Sequence, residues 1–387
     1  TRIDGLTVTD LTFTSTNGKY ALHVINCSRF VISRLQFDCH SDGVHLNGAC
    51  RHGYVSDLSG TTGDDVVCVS PMDVPTYAPE TVDQGEMHDI VVERVTASCA
   101  AGGMRCLSGT TSASVALTTY NITFRDIVID PVSSGKVVEI GGFPGYSETT
   151  GGTLTNILVE NARNVGQGHT VVFYYCTATN VTLRNITSPV TAYYYAVNVS
   201  DHTTIDELTV EDCYFTPPDA THAISLAAQS TWSTVTTLRV SNCRLNVATK
   251  TAALITTRSA SNTLTHLFID NLYADQVAYM LGDFYTSTNL YVNGAYGANI
   301  SGSMYVRASA TIDVRSASGI RANVDGFGTA GSNTIKSRSL GFRCDVSTLT
   351  KADGDLAYNT NAGLACGVGP VISNGSAWKH LYTGNTY

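Results

Sequence analysis

The chain has 387 residues, of which only 14% are charged, and its formal net charge is −9. A nucleic-acid partner is not expected, because neutralising phosphates requires clustered Lys and Arg that the sequence lacks. No apolar run approaches the roughly 18 to 20 residues that span a bilayer, so membrane insertion is not expected either. Abundant Thr, Ser, Val, Asn, Gly and Tyr favour strands and tight turns over helices and predict an all-β chain.

The first predicted strand pair, in "IDGLTVTDLTF", begins directly after Thr1, so we expect upstream sequence to be missing. Two acidic turns follow between residues 40 and 70, and each runs straight into a short apolar strand. Asp42 stands in the first turn, and Asp64 and Asp65 stand in the second. Asp42 and Asp64 are 22 residues apart, and a chain with so few charges needs a structural reason to place carboxylates before two strands at that interval.

One phrase recurs further along the chain: a polar residue, an alternating apolar segment, then Asn or Asp. It occupies Asn121–Asp126, Asn156–Asn161, Asn180–Asn185, Glu207–Asp212, Thr237–Asn242 and His266–Asn271. The apolar positions Ile157, Val181, Leu208, Leu238, Leu267 and Leu290 follow one another at intervals of 24, 27, 30, 29 and 23 residues. Each interval also contains a second apolar strand, and none contains a helix signal.

A repeating unit of 22 to 30 residues with short alternating strands is typical of one coil of a parallel β-helix. We predict a single-stranded, right-handed parallel β-helix of about 12 coils, from Gly5 to about Gly319, within a domain at residues 1–329. A β-sandwich or propeller is disfavoured because hairpin turns are scarce. Residues 330–387, rich in Gly and Asn, predict a small C-terminal module of short antiparallel strands for trimerisation or glycan binding.

If one coil is 22 residues long here, Asp42 and Asp64 occupy equivalent positions on adjacent coils, roughly 4.8 Å apart. Asp65 is then expected further out on the same face. Like charges this close raise at least one carboxyl pKa, and an acid beside an ionised partner is the arrangement of glycoside hydrolysis. The alternative is ordinary turn chemistry, since Asp-Gly and Gly-Asp pairs are common at solvated corners.

The segments "SDGVHL" and "TGDDVVCV" resemble the Asn-Thr-Asp-Gly and Gly/Gln-Asp-Asp motifs of polygalacturonase-like family 28 glycoside hydrolases. The resemblance implies an endo-acting, inverting hydrolase in which Asp64 is the general acid, while Asp42 and Asp65 activate water.

Two departures from that family concern the substrate. Arg105 stands in the strand where the family carries Gly-His-Gly, and Lys136 and Glu139 stand where it carries Arg-x-Lys. The substrate is therefore not expected to be polygalacturonate. His45, Arg105, Lys136 and Glu139 are candidate substrate-binding residues, and a buried His45 is an equal alternative.

The C-terminal segment "GDLAYNTNAG … GVGPVISNGSAWKHLYTG" resembles the terminal module of bacteriophage tailspike and tail-fibre depolymerases. The resemblance implies a homotrimer that binds and cleaves a bacterial surface polysaccharide, either capsule or O-antigen (lipopolysaccharide), during host recognition. The missing N-terminal region would attach the spike to the virion tail. The 20 Tyr residues suit this ligand, because aromatic faces stack on sugar rings, although many belong to the core or to subunit contacts.

The 11 cysteines are scattered singly, with no Cys or Cys/His spacing typical of a metal site, so neither a metal nor a cofactor is predicted. Several stand within apolar strands, where a reduced thiol acts as a small core residue. Synthesis in a reducing bacterial cytoplasm, before action outside the host cell, is expected.

Three functions remain open from the sequence. The first is hydrolysis by Asp42, Asp64 and Asp65. The second is a lyase on the same fold, which needs a base and a group that neutralises a uronic acid, roles open to Arg105, Lys136 and His45. The third is an adhesin that binds glycan without cleaving it.

Overall fold

The computed structural model of the chain describes residues 3–71, 85–110, 116–132, 134–142, 152–188, 195–216, 223–226, 232–246, 253–257, 261–275, 279–281, 288–298, 303–305, 311–318, 321–323, 333–337, 343–344, 349–350, 353–359, 369–374 and 377–380. Every regular element among these residues is a strand, which confirms the all-β prediction. The described part of the chain contains no helix of the length and apolar character that crossing a membrane requires.

The strands of the described residues form three sheets. Sheet 1 contains β1 (Ile3–Ser15), β3 (Cys27–Cys39), β5 (Arg51–Thr62), β7 (Met87–Cys99), β9 (Gly109–Thr110), β10 (Ala116–Pro131), β12 (Thr153–Asn164), β14 (Thr177–Arg184), β15 (Thr187–Ser188), β17 (Thr203–Glu211), β18 (Tyr214–Phe215), β20 (Ser233–Ser241), β21 (Arg244–Asn246), β23 (Asn262–Asp275), β25 (Asn289–Ala298), β27 (Thr311–Ser318), β29 (Asn333–Ser337) and β31 (Leu349–Thr350). Sheet 2 contains β2 (Tyr20–Ile25), β4 (Asp42–Asn47), β6 (Val67–Ser70), β8 (Gly102–Cys106), β11 (Lys136–Gly141), β13 (His169–Tyr174), β16 (Val197–Val199), β19 (Ile224–Leu226), β22 (Ala253–Thr256) and β24 (Tyr279–Leu281). Sheet 3 contains β26 (Ser303–Tyr305), β28 (Arg321–Asn323), β30 (Arg343–Cys344), β32 (Asp353–Asn359), β33 (Gly369–Asn374) and β34 (Trp378–His380).

The repeat found in the sequence is the strand register of sheet 1. Ile157 pairs with Val181, and the chain of parallel pairs continues through Leu208, Leu238, Leu267 and Leu290. All six residues are at most 2% exposed. The intervals of the repeat are therefore set by apolar residues that stack from one strand to the next in a common core.

Sheets 1 and 2 alternate along the chain. Their strands pair in parallel with the equivalent strands of the next repeat, except that the short β9 pairs antiparallel with β10. Among the described residues, sheet 1 has twelve such successive strands from β1 to β27. They are β1, β3, β5, β7, β10, β12, β14, β17, β20, β23, β25 and β27. The apolar residues of both sheets form one continuous core.

Two columns of residues bend the long strands of sheet 1. The first bend column has φ between 52° and 81° at Gly5, Arg29, His52, Asp89, Asn121, Asn156 and Asn180. The second bend column has φ between 50° and 83° at Asp10, Arg34, Asp57, Arg94, Asp126, Asn161, Asn185, Asp212, Asn242, Asn271 and Gly294. Asn, Asp and Gly tolerate this left-handed conformation, which explains why the repeated phrase ends in Asn or Asp.

Parallel pairing continues across the domain boundary predicted between residues 329 and 330. β29 pairs with β27 and with β31, all in parallel. The antiparallel strands predicted near the C-terminus are present as β32, β33 and β34.

The structure describes the side chains of nine cysteines, and each of these is buried and free. They are Cys27, Cys39, Cys50, Cys68, Cys99, Cys106, Cys176, Cys213 and Cys243. The prediction of scattered core thiols is confirmed for these nine.

Candidate active site

The strand register places Asp65, and not Asp64, opposite Asp42. Val44 pairs with Val67 and Leu46 with Val69, so the offset between β4 and β6 is 23 residues. The predicted stacking of Asp42 on Asp64 is wrong by one residue. Buried valines fix the register of these strands, and the prediction counted the interval between carboxylates instead.

The structure nevertheless brings the three predicted carboxyl groups together. One oxygen each of Asp42, Asp64 and Asp65 lies within 4.8 Å of the other two. Asp42 and Asp65 are each only 2% exposed, whereas the side chain of Asp64 is 30% exposed. The expectation that Asp65 lies further out is therefore also wrong, because Asp64 is the most exposed of the three carboxyl groups.

Asp42 is held by three neighbours. His45 Nδ1 lies 2.7 Å from Asp42 Oδ2, and Ser41 Oγ donates a hydrogen bond of 3.2 Å to Asp42 Oδ1. Lys19 Nζ lies 4.0 Å from Asp42 Oδ1 and 3.2 Å from Asp64 Oδ2. The ammonium group of Lys19 thus links the buried carboxylate to the accessible one.

Asp65 begins a second line of charges that runs along sheet 2. Arg105 Nη1 donates to Asp65 Oδ2 at 3.3 Å, and Arg105 Nε lies 3.2 Å from Glu139 Oε1. Lys136 Nζ lies 2.9 Å from Glu139 Oε2. Acid and base alternate along this line, so each buried charge has an opposite neighbour, as charges of low exposure require.

The surroundings push the carboxyl pKa values apart. Burial opposes ionisation of Asp42, but the hydrogen bond and charge of His45 and the charge of Lys19 together lower its pKa. Burial and then the charge of Asp42 raise the pKa of Asp64, against the opposing effect of Lys19. Burial raises the pKa of Asp65 well above its usual value, although Arg105 opposes the shift. Neighbouring carboxyl groups of opposite protonation state are the usual basis of acid and base roles.

The charge balance of the site points the same way. Its described residues include four carboxyl groups, those of Asp42, Asp64, Asp65 and Glu139, and three permanent cations, those of Lys19, Arg105 and Lys136. One further proton on a carboxyl group neutralises these seven side chains. The site is therefore built to hold a proton beside ionised carboxylates.

The four predicted substrate-binding residues all lie on sheet 2 beside the carboxyl groups. His45 is the buried alternative, since its side chain is 5% exposed behind Asp42 and packs against the ring of Tyr20 at 4.3 Å. The side chains of Arg105 and Lys136 are 11% and 15% exposed, and that of Glu139 is 2% exposed. Their visible partners are the ion pairs of the site itself.

Sequence reasoning missed Lys19, Tyr20 and His169. Tyr20 pairs with Asp42 on the preceding strand, and His169 pairs with Lys136 on the following one. Burial and the charge of Lys136 lower the pKa of His169 to about 4, so its imidazole is neutral near pH 7. Counting one repeat backwards from Asp42 and one repeat forwards from Lys136 in the sequence would have indicated Tyr20 and His169.

No protein-family model matches this sequence, and searches of curated proteins and of solved structures return no match. The functional argument consequently rests on the chemistry of the site and on the motifs themselves.

Proposed function

We propose that this chain is a bacteriophage tailspike depolymerase that hydrolyses glycosidic bonds of a bacterial surface polysaccharide, capsule or O-antigen. In this proposal the parallel sheets coil as a right-handed β-helix, and three chains form the spike. The observation that carries the proposal is the carboxyl cluster, in which an accessible Asp64 of raised pKa lies beside an Asp42 of lowered pKa.

In the proposed reaction, Asp64 donates its proton to the glycosidic oxygen as the bond between that oxygen and the anomeric carbon breaks. A water molecule adds to the anomeric carbon and gives its proton to Asp42, which is ionised and backed by His45. Hydrolysis then leaves Asp64 ionised and Asp42 protonated, and proton exchange with solvent restores both. The resemblance gave Asp65 a share of the base role, but burial raises its pKa well above the usual value and favours its protonated form, so the proposal leaves the base role to Asp42.

A lyase is less well supported, because its candidate groups are engaged. Arg105 lies between Asp65 and Glu139, and His45 lies against Asp42. A uronic-acid carboxylate would have to displace these buried acidic partners, and breaking their desolvated ion pairs is energetically costly.

The decisive variant is Asp64→Asn, assayed for reducing ends released from a panel of capsular polysaccharides and O-antigens. We expect activity to fall by about 10²- to 10⁴-fold with the melting temperature unchanged, because the amide cannot donate the carboxyl proton. Asp38→Asn is the matched control, since it removes an exposed carboxylate from β3 and should leave activity intact.

Full activity in the Asp64→Asn variant would reject the site. An unsaturated product absorbing in the near ultraviolet would indicate the lyase, and binding without cleavage would indicate the adhesin. Light scattering tests the trimer. Proton NMR of the first product tests inversion, because carboxyl oxygens within 4.8 Å are closer than the roughly 6.5 to 9.5 Å usual for inverting pairs.

A further inference from the structure

A second group of metal-ligating side chains lies on sheet 1, outside the carboxyl cluster. His52 in β5 and His88 and Asp89 in β7 each offer one donor atom, and these three atoms lie within 4.8 Å of one another. His52 Nδ1 lies 3.2 Å from Asp89 Oδ2, and His88 Nδ1 lies 2.8 Å from the same oxygen. The register explains the approach, because the pairs Arg51 with His88 and Gly53 with Ile90 place position 52 opposite position 89.

These separations are close to those of a tetrahedral metal site. Zinc bonds to imidazole nitrogen and carboxylate oxygen at about 2.0 to 2.2 Å, which puts two ligands of one ion about 3.3 Å apart. The three donor atoms lie within 4.8 Å of one another, so adjustment of the side chains would bring His52, His88 and Asp89 onto one ion.

Neighbouring residues hold two of the three ligands in place. Asn121 Nδ2 donates a hydrogen bond of 2.8 Å to Asp89 Oδ1, which leaves Oδ2 turned towards the histidines. The ring of Tyr120 stacks on that of His88 at 4.7 Å with an interplanar angle of 9°. Outer contacts of this kind orient ligands and tune metal affinity.

The group is open to solvent but not fully exposed. The side chains of His52, Asp89 and His88 are 50%, 39% and 15% exposed, so an ion can enter and keep water in its remaining positions. Glu86 and Arg51 both lie close enough to act electrostatically on Tyr120, the neighbour of His88. Glu86 favours a cation here and Arg51 opposes one, so the local charge is mixed.

We infer that His52, His88 and Asp89 form a site for one divalent transition-metal ion of the zinc class. Two imidazoles and one carboxylate are ligands that Zn²⁺ accepts readily, and carboxylate–imidazole sets disfavour Mg²⁺ and Ca²⁺, which prefer oxygen. The inference is independent of the proposed glycan cleavage, because it uses no residue of the carboxyl cluster.

Titration calorimetry of the full chain with Zn²⁺, after treatment with a chelator and dialysis, tests the site. We expect one ion per chain, with affinity reduced at least about tenfold in His52→Asn and in Asp89→Asn. Both variants suit their positions: Asn tolerates the φ of 52° at residue 52 and 55° at residue 89. His266→Asn, on β23 beside Asn289, is the control that should bind as the parent does.

Zn²⁺ should also raise the melting temperature of the parent chain and of the control, and raise it less in the two variants. The absence of binding, or binding that either variant retains at full strength, would overturn the site. Mg²⁺ binding as tight as Zn²⁺ binding would overturn the assigned metal class.

Discussion

Gly63 and Gly102 leave the space into which the carboxyl cluster fits. A Cβ atom on Gly63 would lie 1.9 Å from the carbonyl oxygen of His40, so the turn that presents Asp64 closes only around glycine. A Cβ atom on Gly102 would lie 2.5 Å from Asp65 Oδ1. The Gly-Gly pair that replaces the histidine-bearing motif of the resembled family therefore makes room for the buried carboxyl group of Asp65.

Lys19 offers a test of the electrostatics at single-residue scale. Activity that needs a protonated Asp64 is lost as pH rises through its raised pKa, and activity that needs an ionised Asp42 is lost as pH falls through its lowered pKa. The charge of Lys19 lowers both values. We expect Lys19→Met to move both limbs of the pH–activity profile upwards, by up to about one pH unit, because water screens a side chain that is 38% exposed.

The control for this shift is Arg34→Met, which removes a cation bonded to Asp10 on sheet 1 and should leave the profile unchanged. If neither limb moves in Lys19→Met, the ammonium group does not set the protonation of the two carboxyl groups.

At this scale the sequence predicted which three carboxyl groups lie together, but not which of them are buried. The doubled Asp64-Asp65 motif indicated the cluster because three carboxylates are unusual in a chain with so few charges. The motif did not show that Asp65, rather than Asp64, is the buried carboxyl group. That outcome depends on the strand register, which is set by inward residues such as Val67. Lys19 and His169 were missed since their contacts cross from one repeat to the next.

Among the structural elements, the bend columns show why the repeated phrase carries Asn at fixed positions. Asn156 donates to Asn121 Oδ1 at 3.0 Å and accepts from Asn180 Nδ2 at 2.7 Å. In the second bend column Asn161 and Asn185 make equivalent bonds. Each amide satisfies its neighbours on both sides while its backbone takes the left-handed conformation. The sequence predicted the spacing of these residues, and the hydrogen bonds explain why they are amides.

We expect Asn156→Ala to destabilise the chain by about 1 to 3 kcal/mol. The substitution removes two side-chain hydrogen bonds and places a Cβ-bearing residue without a compensating amide at a φ of 55°. Asn156→Gly removes the same bonds but tolerates the conformation, so it should be the milder change. Urea unfolding followed by circular dichroism measures both, and a glycine variant less stable than the alanine variant would contradict this account.

Over the whole molecule, stability comes from apolar columns shared by all repeats of sheets 1 and 2. Hydrophobic spacing alone predicted this part, because each repeat must place its buried residue over that of the last. The sequence did not reveal that parallel pairing continues past residue 329, since strands as short as Leu349–Thr350 are too brief to show a pattern.

Leu183 tests that shared core. It is fully buried on β14 and pairs with Val159 before it and Val210 after it. An unpaired carboxylate there has no partner in the core, so Leu183→Asp should cost at least about 4 kcal/mol and leave the chain misassembled or insoluble. The neighbouring Thr182 points to the other face and is half-buried, so Thr182→Asp should fold with a melting temperature close to that of the parent. Equal melting temperatures for the two variants would mean that alternate residues of β14 do not face core and surface. The fold would then not depend on apolar residues that stack from one repeat to the next.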